Sequence, residues 1–458
     1  MALYSLGFIF VFLPLAIVLY AFTPGRYRNY ALLVINAAFY LFAGWRVAAI
    51  TAAAALIDYA AALFLDAACG RKRLGALRLP VLLLSSGKNI AGAVLFAVLG
   101  ELRSELVVGG FLVYALTSTG YLIDVFRREA AAERNPVKFL LFSTLFCKMY
   151  IGPLVRYGAM KPQLDGEGGN RRFSLEDAGE GLTLFLRGAA KKVLLADRLA
   201  DFQASLAAVN ASAPSLLGSW SAVLVFALRI FFELSGFSDM AQGLGLIFGL
   251  RLPSNFYYPY QSLSVSDFLY RFNTTVSQFF SHYVYDALSP MSTSAPDGSP
   301  KREHVLAEVL NTLLVCLLFG LWFGVKLSCI VWGIYLALFI LLEKYLIGKL
   351  LDAIPRLFSR CYTFAVVMLS FVIFPAGSAR GIIYSLSQTF DFSRDATSTE
   401  LNYLLSSNWL LLTLSVLFAS SLFAMLDRII KKRAKPVADI ISAIFAVALL
   451  ALTAAFLI

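Results

Sequence analysis

The sequence predicts an all-α, polytopic integral membrane protein. Hydrophobic residues make up 59% of the 458 positions and charged residues only 15%, whereas a soluble domain carries about 25% charged residues. Apolar runs of about 20 residues, the length that a helix needs to cross a ~30 Å hydrocarbon core, recur along the whole chain. They amount to about eleven crossing segments, accompanied by interfacial or re-entrant helices. Because no stretch is typical of a soluble domain, residues 1–458 are expected to form a single polytopic membrane domain.

The N-terminal apolar runs alternate with short basic loops. Residues 71–78 have the sequence RKRLGALR, and loops rich in lysine and arginine stay on the cytoplasmic side of a membrane. Two apolar runs separate this loop from the one with Arg26 and Arg28, so both loops are expected on the cytoplasmic side. The N-terminus, one run earlier, is then expected outside the cytoplasm. The first run lacks the basic start of a signal peptide and is expected to be retained as a span. These runs cover residues 5–22, 30–45, 47–68, 79–100 and 106–126.

Polar residues interrupt several runs. The run over residues 79–100 contains Lys88 and is expected to bend or to line something polar. Residues 136–157, interrupted by Lys148, are predicted to be a short span or a re-entrant element, because irregular backbone at membrane depth needs protein or water around it. A helix over residues 176–200 with a basic face is predicted to be interfacial or a short span. The remaining apolar runs cover residues 216–232, 237–250, 305–321, 327–342, 365–382, 409–426 and 440–458.

Three charged residues, Arg229, Glu233 and Asp239, lie inside or beside apolar runs. A charge at that depth costs roughly 2.5–3.5 kcal/mol even on a lenient insertion scale, so it usually faces a cavity or a partner. Arg229 and Glu233 are spaced as a helical ion pair; the alternative is a polar lining for an acyl-carrier or acceptor channel. The pair Ser235–Gly236 is predicted to break the helix, so that the carboxylate of Asp239 caps the next one.

Composition disfavours several functional classes. The net charge of +11 comes from basic residues between apolar runs, which indicate topology and contact with lipid headgroups rather than with nucleic acid. The five cysteines are scattered without a CxxC pair, so neither disulfides nor a metal site is expected. Residues 243–249, GLGLIFG, follow no strand, which favours close helix packing over a nucleotide-binding loop. No bound cofactor is expected, and membrane lipids are the expected partners.

Four stretches together resemble a known family. They are GYLIDVFRRE at 120–129, IGPLVRYGAMKPQL at 151–164, KKVLLADRLA at 191–200 and FFELSGFSDMAQGLGLIFGLRLPSNFYYPY at 231–260. In this order and spacing the chain resembles the membrane-bound O-acyltransferase (MBOAT) superfamily. The most similar branch is the bacterial one that contains alginate O-acetyltransferases and the D-alanyl transferase of teichoic acid modification. The resemblance covers about residues 100–345, and the flanks match only in hydrophobic layout.

The resemblance implies a ring of helices around a tunnel, in which a buried histidine takes the proton from a hydroxyl acceptor. It also implies a location in the bacterial cytoplasmic membrane and, in an active member, a thioester or acyl-carrier donor. Polysaccharide-modification proteins are the candidate partners. The residues expected to line the tunnel or contact substrate are Arg156, Arg229, Glu233, Asp239, Asn311 and Trp322.

The chain departs from the family pattern at the catalytic elements. A signature that resembles GLWHGA is GLWFGV here, so Phe323 occupies the histidine position, and Asn273 stands at the histidine of a pattern like FWRRWH. A general base must accept a proton near the working pH, and its loss typically costs about 10²–10⁴-fold in rate. Phenylalanine cannot accept a proton, and an asparagine amide is hardly basic. The candidates for a substitute base are His282 and Glu233, although His282 on an interfacial segment is also typical of a histidine at headgroup level.

Three functions remain open on the sequence. In the first, the chain is a degenerate family member that acts as a binding or assembly component in the O-acylation of cell-surface polysaccharide or similar hydroxyl acceptors. Alternatively it is a working O-acyltransferase with a displaced base, or a channel or transporter for a lipid or glycan in which Phe323 forms a plug. The missing histidine favours the first.

Overall fold

The computed structural model describes residues 2–100, 105–166, 173–288, 302–422, 425, 428–429, 432 and 435–457. Across these residues the chain forms helices and connecting turns and no strand, which confirms the predicted all-α class. Turns of π-helix occur at Phe8–Phe12, Lys191–Ala196, Ser281–Tyr285 and Glu343–Ile347. In chain order the α-helices are α1 (Leu13–Phe22), α2 (Arg28–Ala43), α3 (Trp45–Ala67), α4 (Lys72–Gly75), α5 (Arg78–Gly100), α6 (Glu105–Arg127), α7 (Pro136–Thr144), α8 (Tyr157–Asp165), α9 (Leu175–Ala190), α10 (Asp197–Ser212), α11 (Leu216–Ile247), α12 (Val265–Phe272), α13 (Thr274–Phe280), α14 (Asp286–Leu288), α15 (Arg302–Trp322), α16 (Leu327–Leu342), α17 (Gly348–Ala353), α18 (Arg356–Ile373), α19 (Ala379–Thr389), α20 (Thr399–Ser407), α21 (Trp409–Ala419) and α22 (Lys435–Leu457).

Within the described ranges, 6 helices are long and apolar enough to cross a membrane. A seventh span results if α20 and α21, which are bent by 62° at their junction, act together. The polytopic class is thereby confirmed; the number refers to the described residues only, and helices such as α2, with 16 residues, are too short to be counted. The six are Trp45–Ala67, Arg73–Ala97, Leu216–Ile247, Val305–Trp322, Leu327–Ala353 and Arg356–Ala376, and Phe8–Phe22 and Ala443–Leu457 are shorter apolar helices.

The chain forms two compact units that are interleaved in sequence. The first unit comprises residues 1–190, 236–254 and 443–458, and the second comprises residues 191–235 and 255–442. Each has its own buried apolar core. The single polytopic domain stays a prediction.

In the first unit, Arg78 joins the C-terminal ends of two helices. Its Nε donates to the carbonyl of Leu65 on α3 at 3.0 Å, and its Nη2 donates to the carbonyl of Phe126 on α6 at 2.7 Å. The last carbonyls of a helix lack partners within the helix, and a cation there also complements the helix dipole. Arg78, which the sequence marks only as a topology signal, is therefore also a structural clamp.

Lys88 belongs to a polar cluster in the first unit. Helix α5 runs unbroken past it, and Lys88 contacts other polar side chains; whether this run bends or lines something polar stays a prediction. Lys88 Nζ lies 3.1 Å from Asp58 Oδ1, and Asp58 Oδ2 accepts hydrogen bonds from Asn89 Nδ2 at 3.0 Å and from the Tyr114 hydroxyl at 2.5 Å. Because Asp58 is fully buried, this pairing offsets the cost of a charge within a candidate span.

Helix α11 is continuous over 32 residues, so the predicted break at Ser235–Gly236 is wrong. Asp239 lies inside α11 rather than at the start of a helix. The glycines serve close packing instead, because a Cβ on Gly188 of α9 would lie 2.5 Å from the carbonyl oxygen of Gly236, and one on Gly243 would lie 2.5 Å from that of Gly181. Backbones that approach this closely require glycine. The packing interpretation of residues 243–249 is confirmed.

Residues 136–157 form the nine-residue helix α7 and a 3₁₀ turn, Phe146–Lys148. Neither is long enough to cross a membrane, which favours the re-entrant alternative. Lys148 is fully buried, and its Nζ donates to the carbonyl of Phe142 in the last turn of α7 at 2.5 Å. The predicted helix over residues 176–200 consists of α9, a π-helical turn and the start of α10.

In the second unit, α15, α16 and α18 pack together. A Cβ on Gly320 would lie 2.3 Å from the carbonyl oxygen of Cys329, so α15 and α16 touch along their backbones. Trp332 is fully buried, and its Nε1 donates to Ser370 Oγ on α18 at 3.0 Å. This packing fixes the end of α15, where Phe323 follows.

Candidate functional site

Phe323 lies in a tight turn directly after α15. Its N–H donates to the carbonyl of Gly320 at 3.1 Å. Gly324, the next residue, has φ of +152°, a conformation that residues with a side chain rarely adopt. The turn therefore fixes the direction of the Phe323 side chain.

Four aromatic rings surround Phe323. Tilted and edge-to-face contacts of this kind add about 0.5–1.5 kcal/mol per pair beyond the burial of area. None of these side chains accepts a proton near neutral pH, so the position cannot supply a general base. The ring centroid of Phe323 lies 6.0 Å from that of Phe272, 5.6 Å from Phe319, 5.7 Å from Trp332 and 5.5 Å from Phe374. We call these five residues the aromatic cluster.

Asn273 follows Phe272 and precedes α13. An asparagine at this N-cap position commonly bonds the first turn of the helix, but the side chain of Asn273 makes no such bond. Asn255 caps the helix instead, since its main-chain oxygen accepts from Thr274 N at 2.9 Å and its Oδ1 accepts from Thr275 N at 3.2 Å. Asn273 is 0% exposed, and within the described ranges neither its Nδ2 nor its Oδ1 has a hydrogen-bond partner. The amide at the second family histidine position is held by packing alone.

A buried carboxylate anchors the helix that leads to Asn273. Glu343 Oε1 accepts a hydrogen bond from Val265 N, in the first turn of α12, at 2.8 Å. Ser264 Oγ accepts from Asp267 N at 3.0 Å and caps the same helix. These acceptors satisfy N–H groups that lack partners within the helix. The start of α12 is therefore fixed.

Glu233 belongs to a charged network in the second unit. Its Oε1 accepts from Lys192 Nζ at 2.8 Å, and its Oε2 lies 3.9 Å from Arg229 Nε. Lys192 Nζ also lies 2.9 Å from Asp197 Oδ1, and Arg229 Nη1 donates to Gln203 Oε1 at 3.1 Å. The predicted pair of Arg229 and Glu233 is present, but Lys192 is the closer cation. We call these five residues the charged network.

The network decides how well Glu233 can act as a base. Burial opposes the charged form of Lys192, but the carboxylates of Glu233 and Asp197 outweigh it and raise the pKa of Lys192 above its usual value. Lys192 therefore stays a cation near neutral pH. A proton taken up by Glu233 would cost its ion pair with Lys192.

His282 lies on the π-helical turn Ser281–Tyr285. Its ring stands edge-on to Tyr283, with centroids 4.8 Å apart, and its Nδ1 lies 3.9 Å from Asp286 Oδ2. That separation is too long for a hydrogen bond. The role of His282 as a substitute base stays a prediction.

Arg156, in the first unit, joins two of the stretches that carry the family resemblance. Its Nη2 lies 3.0 Å from Asp124 Oδ1 and 2.6 Å from Glu129 Oε2, and its Nε donates to Asp124 Oδ2 at 3.4 Å. The neighbouring Tyr157 hydroxyl donates to the carboxylate of Glu133. The two stretches are thus tied by charge-assisted hydrogen bonds, and a lining role for Arg156 stays a prediction.

Three further residues that were expected to line a tunnel are at least half-buried. Asn311 on α15 is 5% exposed, and its Nδ2 has no hydrogen-bond partner in the described part of the chain. Trp322 is the last residue of α15, and Asp239 lies on the part of α11 that belongs to the first unit. Their lining roles stay predictions.

Sequence reasoning missed Lys192, Asn255 and Glu343. Lys192 was assigned to a lipid-facing basic stretch, but it follows Gly188 by one helical turn and so lies on the face that packs closely against α11. That spacing was the available signal. Asn255 lies in an irregular loop, and Glu343 ends an apolar run as many interfacial charges do. Neither residue therefore carried a signal in the sequence.

Comparison with known proteins shows the family of the chain. Residues 125–387 match the model of the membrane-bound O-acyltransferase family. A protein of Pseudomonas fluorescens named probable alginate O-acetylase AlgI is 34% identical over 376 residues, which cover 81% of this chain and 71% of the relative. The probable alginate O-acetylase AlgI of Pseudomonas aeruginosa is 30% identical over 390 residues, with the same coverage of 81% and 71%. A peptidoglycan O-acetyltransferase of Helicobacter pylori is 28% identical over 290 residues, which cover 57% of this chain and 53% of the relative. The chain belongs to the membrane-bound O-acyltransferase family.

Proposed function

We propose that the protein is a catalytically degenerate MBOAT-family protein that serves the O-acylation of cell-surface polysaccharide, or of similar hydroxyl acceptors, as a binding or assembly component. The aromatic cluster is the observation that carries this proposal. The side chain at the family's histidine position, Phe323, is packed among four aromatic rings whose centroids lie 5.5–6.0 Å away. A proton acceptor at this position would have to replace a packed ring.

The charged network supports the proposal from another side. A displaced base needs a carboxylate or imidazole that lies within hydrogen-bond reach of the acceptor hydroxyl and can take up its proton. Glu233 is bound to Lys192 at 2.8 Å, so its protonation costs that ion pair. The charged groups of the network are thus engaged with one another.

The relatives suggest what the protein serves. Their names describe O-acetylation of alginate and of peptidoglycan. For this chain the ligands are therefore a hydroxyl acceptor and, in any residual transfer, a thioester or acyl-carrier donor, with no further cofactor. Its partners are polysaccharide-modification proteins, and its place is the bacterial cytoplasmic membrane with the N-terminus outside.

Acyl transfer to hydroxyl acceptors by the purified full-length protein tests the proposal, with the parent beside Phe323→His. We expect no transfer above background from the parent and a gain in Phe323→His, of up to about 10²–10⁴-fold if the new imidazole is well positioned. Phe323→Leu is the matched control, because it relieves the same packing without supplying a base. It should stay as silent as the parent.

Transfer by the parent that disappears in His282→Ala or Glu233→Ala would instead show a working O-acyltransferase with a displaced base. Flux of a lipid or glycan through proteoliposomes, without transfer, would show a transporter. If Phe323→His is silent as well, direct binding of the acceptor polysaccharide to the parent decides, and failure to bind contradicts the proposal.

A further inference from the structure

The second unit exposes several large aromatic side chains over residues 379–419, which comprise α19, α20, α21 and the turns between them. Most of this segment lies beyond residue 387, where the family match ends. We call it the aromatic platform. The exposed fractions are 63% for Tyr384, 73% for Phe392, 75% for Tyr403 and 62% for Trp409.

Hydrogen bonds and a helix cap hold the backbone of the aromatic platform in place. Asp391 Oδ1 accepts from Ser393 Oγ at 2.5 Å, and its Oδ2 accepts from Arg394 Nε at 2.9 Å. These bonds, that from Ser393 first, hold the pKa of Asp391 below its usual value. Ser398 Oγ caps α20 by accepting from Leu401 N at 3.2 Å, and Leu401 is fully buried in the core of the unit. The exposed rings are therefore carried on an ordered support.

The platform also holds the start of the long helix α11. Leu216 N donates to the carbonyl of Asp395 at 3.1 Å, and Leu217 N donates to that of Ala396 at 3.0 Å. The first N–H groups of a helix have no partner within it, so the platform backbone supplies what the helix lacks. The platform and the first turn of α11 must therefore lie at the same membrane depth.

Helix lengths limit how the bent pair can sit in a bilayer. Helices α20 and α21 have 9 and 11 residues, which correspond to about 14 Å and 17 Å at about 1.5 Å per residue. In the most favourable tilt, with the line between their outer ends along the membrane normal, two helices of these lengths bent by 62° span about 26 Å. This falls short of the ~30 Å hydrocarbon core. The pair α20–α21 is therefore too short to cross it by itself.

We propose that the aromatic platform is a membrane-surface element that lies in the lipid headgroup layer with its exposed rings against lipid, and that α20 and α21 do not cross the bilayer. Continuity supports the bilayer as the occupant, because α19 starts just after the candidate span Arg356–Ala376, at a turn where Gly377 has φ of +71°. The exposed face of α19 combines Arg380, Ile383 and Tyr384. Cationic, aliphatic and tyrosine side chains on one face suit lipid phosphates, acyl chains and the interfacial belt respectively.

This placement explains why the charged network is internally paired. If α11 begins in the headgroup layer, Arg229 lies about 20 Å and Glu233 about 26 Å along the helix axis from its start. Both then lie at the depth of the hydrocarbon core, where an unpaired charge is costly. The pairs with Lys192 and Gln203 meet that requirement.

Two measurements on the full-length protein test the proposal. In phosphatidylcholine nanodiscs with lipids brominated either near the glycerol or at the chain end, the fluorescence difference between the parent and Trp409→Phe isolates Trp409. We expect the shallow bromines to quench this difference signal at least about twofold more than the deep ones, as for an interfacial tryptophan. The difference between the parent and Trp332→Phe is the control, because Trp332 is 0% exposed and neither lipid should quench it.

The second measurement concerns sidedness. In a background with Cys69→Ser and Cys361→Ser, a membrane-impermeant maleimide is applied to Ser393→Cys and, separately, to Lys432→Cys in intact and permeabilised cells. Labelling from the same side supports a pair that does not cross, and labelling from opposite sides overturns it. Quenching of Trp409 by aqueous iodide but by neither brominated lipid would overturn the lipid contact and leave a protein partner as the occupant.

Discussion

The aromatic cluster and the charged network lie in the same unit but differ in how they are stabilised. The aromatic cluster holds Phe323 through ring contacts that are individually weak and add up, so its residues can change one at a time. In the charged network each ion depends on a specific partner, since removal of one charge leaves another uncompensated. The comparison teaches that the side chain at the family's histidine position is held by the packing of rings, whereas each charge of the network is stabilised by a specific partner.

The largest effect is expected from removing the central ring. Phe323→Ala should lower the free energy of unfolding by about 3 kcal/mol, because four ring contacts disappear and a cavity remains. Unfolding in detergent micelles, followed by intrinsic fluorescence, measures it. Phe392→Ala is the control, because Phe392 is 73% exposed and its loss should cost no more than about 0.5 kcal/mol. A cost below about 1 kcal/mol for Phe323→Ala would mean that the cluster is loosely packed.

Breaking the network at its centre should cost somewhat less. Lys192→Met is expected to lower the free energy of unfolding by about 2–3 kcal/mol near neutral pH, because it leaves Glu233 and Asp197 without their shared cation. Adding Glu233→Gln should recover part of the loss, which a double-mutant cycle measures. Arg198→Gln is the control, because its pair with Asp201 has exposed side-chain fractions of 43% and 69% and is worth at most about 1 kcal/mol.

The ion pair between Lys192 and Glu233 predicts that stability depends on pH. The pKa of Lys192 is raised in the folded state, so its contribution is fully present below the ordinary lysine pKa of about 10.4 and is lost as pH rises through the raised folded value. The stability difference between the parent and Lys192→Met should stay constant from about pH 7 to 9 and shrink only above about pH 10.5. A difference that shrinks already between about pH 7 and 9 would contradict the assignment of Lys192 as the stabilising cation.

A smaller effect is expected from the residue that caps α13 from outside. Asn255→Ala should lower the free energy of unfolding by about 1–2 kcal/mol, because its Oδ1 accepts from Thr275 N and from Thr275 Oγ1 and both hydrogen bonds would be lost. Thermal unfolding in micelles measures it. If Asn255→Ala were neutral, the capping of α13 would depend on the main chain alone.

The fold class and the family were predictable from the sequence, because hydrophobic runs and family stretches are local patterns. The packing of Gly243 was also predictable, since an apolar helix leaves few other uses for such glycines. The continuity of α11 through Ser235–Gly236 was not predictable, because a glycine can either end a helix or allow close contact between two helices. Only the packing of the neighbouring helix α9 shows that Gly236 does the latter. The pairing of Glu233 with Lys192 joins residues 41 positions apart, and no spacing rule reaches that far. The sequence thus predicted that Phe323 and Asn273 stand at the family's histidine positions, but not which contacts stabilise Glu233 and the other side chains of the site.

The smallest and most diagnostic effect concerns Asn273, whose side-chain amide has no hydrogen-bond partner in the described part of the chain. A buried amide whose donor and acceptor both lack partners costs free energy, and an apolar side chain of smaller size removes that cost. Asn273→Ala should therefore be neutral or should raise the free energy of unfolding by up to about 1 kcal/mol, opposite in sign to Asn255→Ala. A loss of more than about 1 kcal/mol would show that Asn273 has partners within the protein. A gain would mean that the chain keeps an amide at a family histidine position at the expense of stability, which is expected of a residue that meets its partner only when ligand is bound.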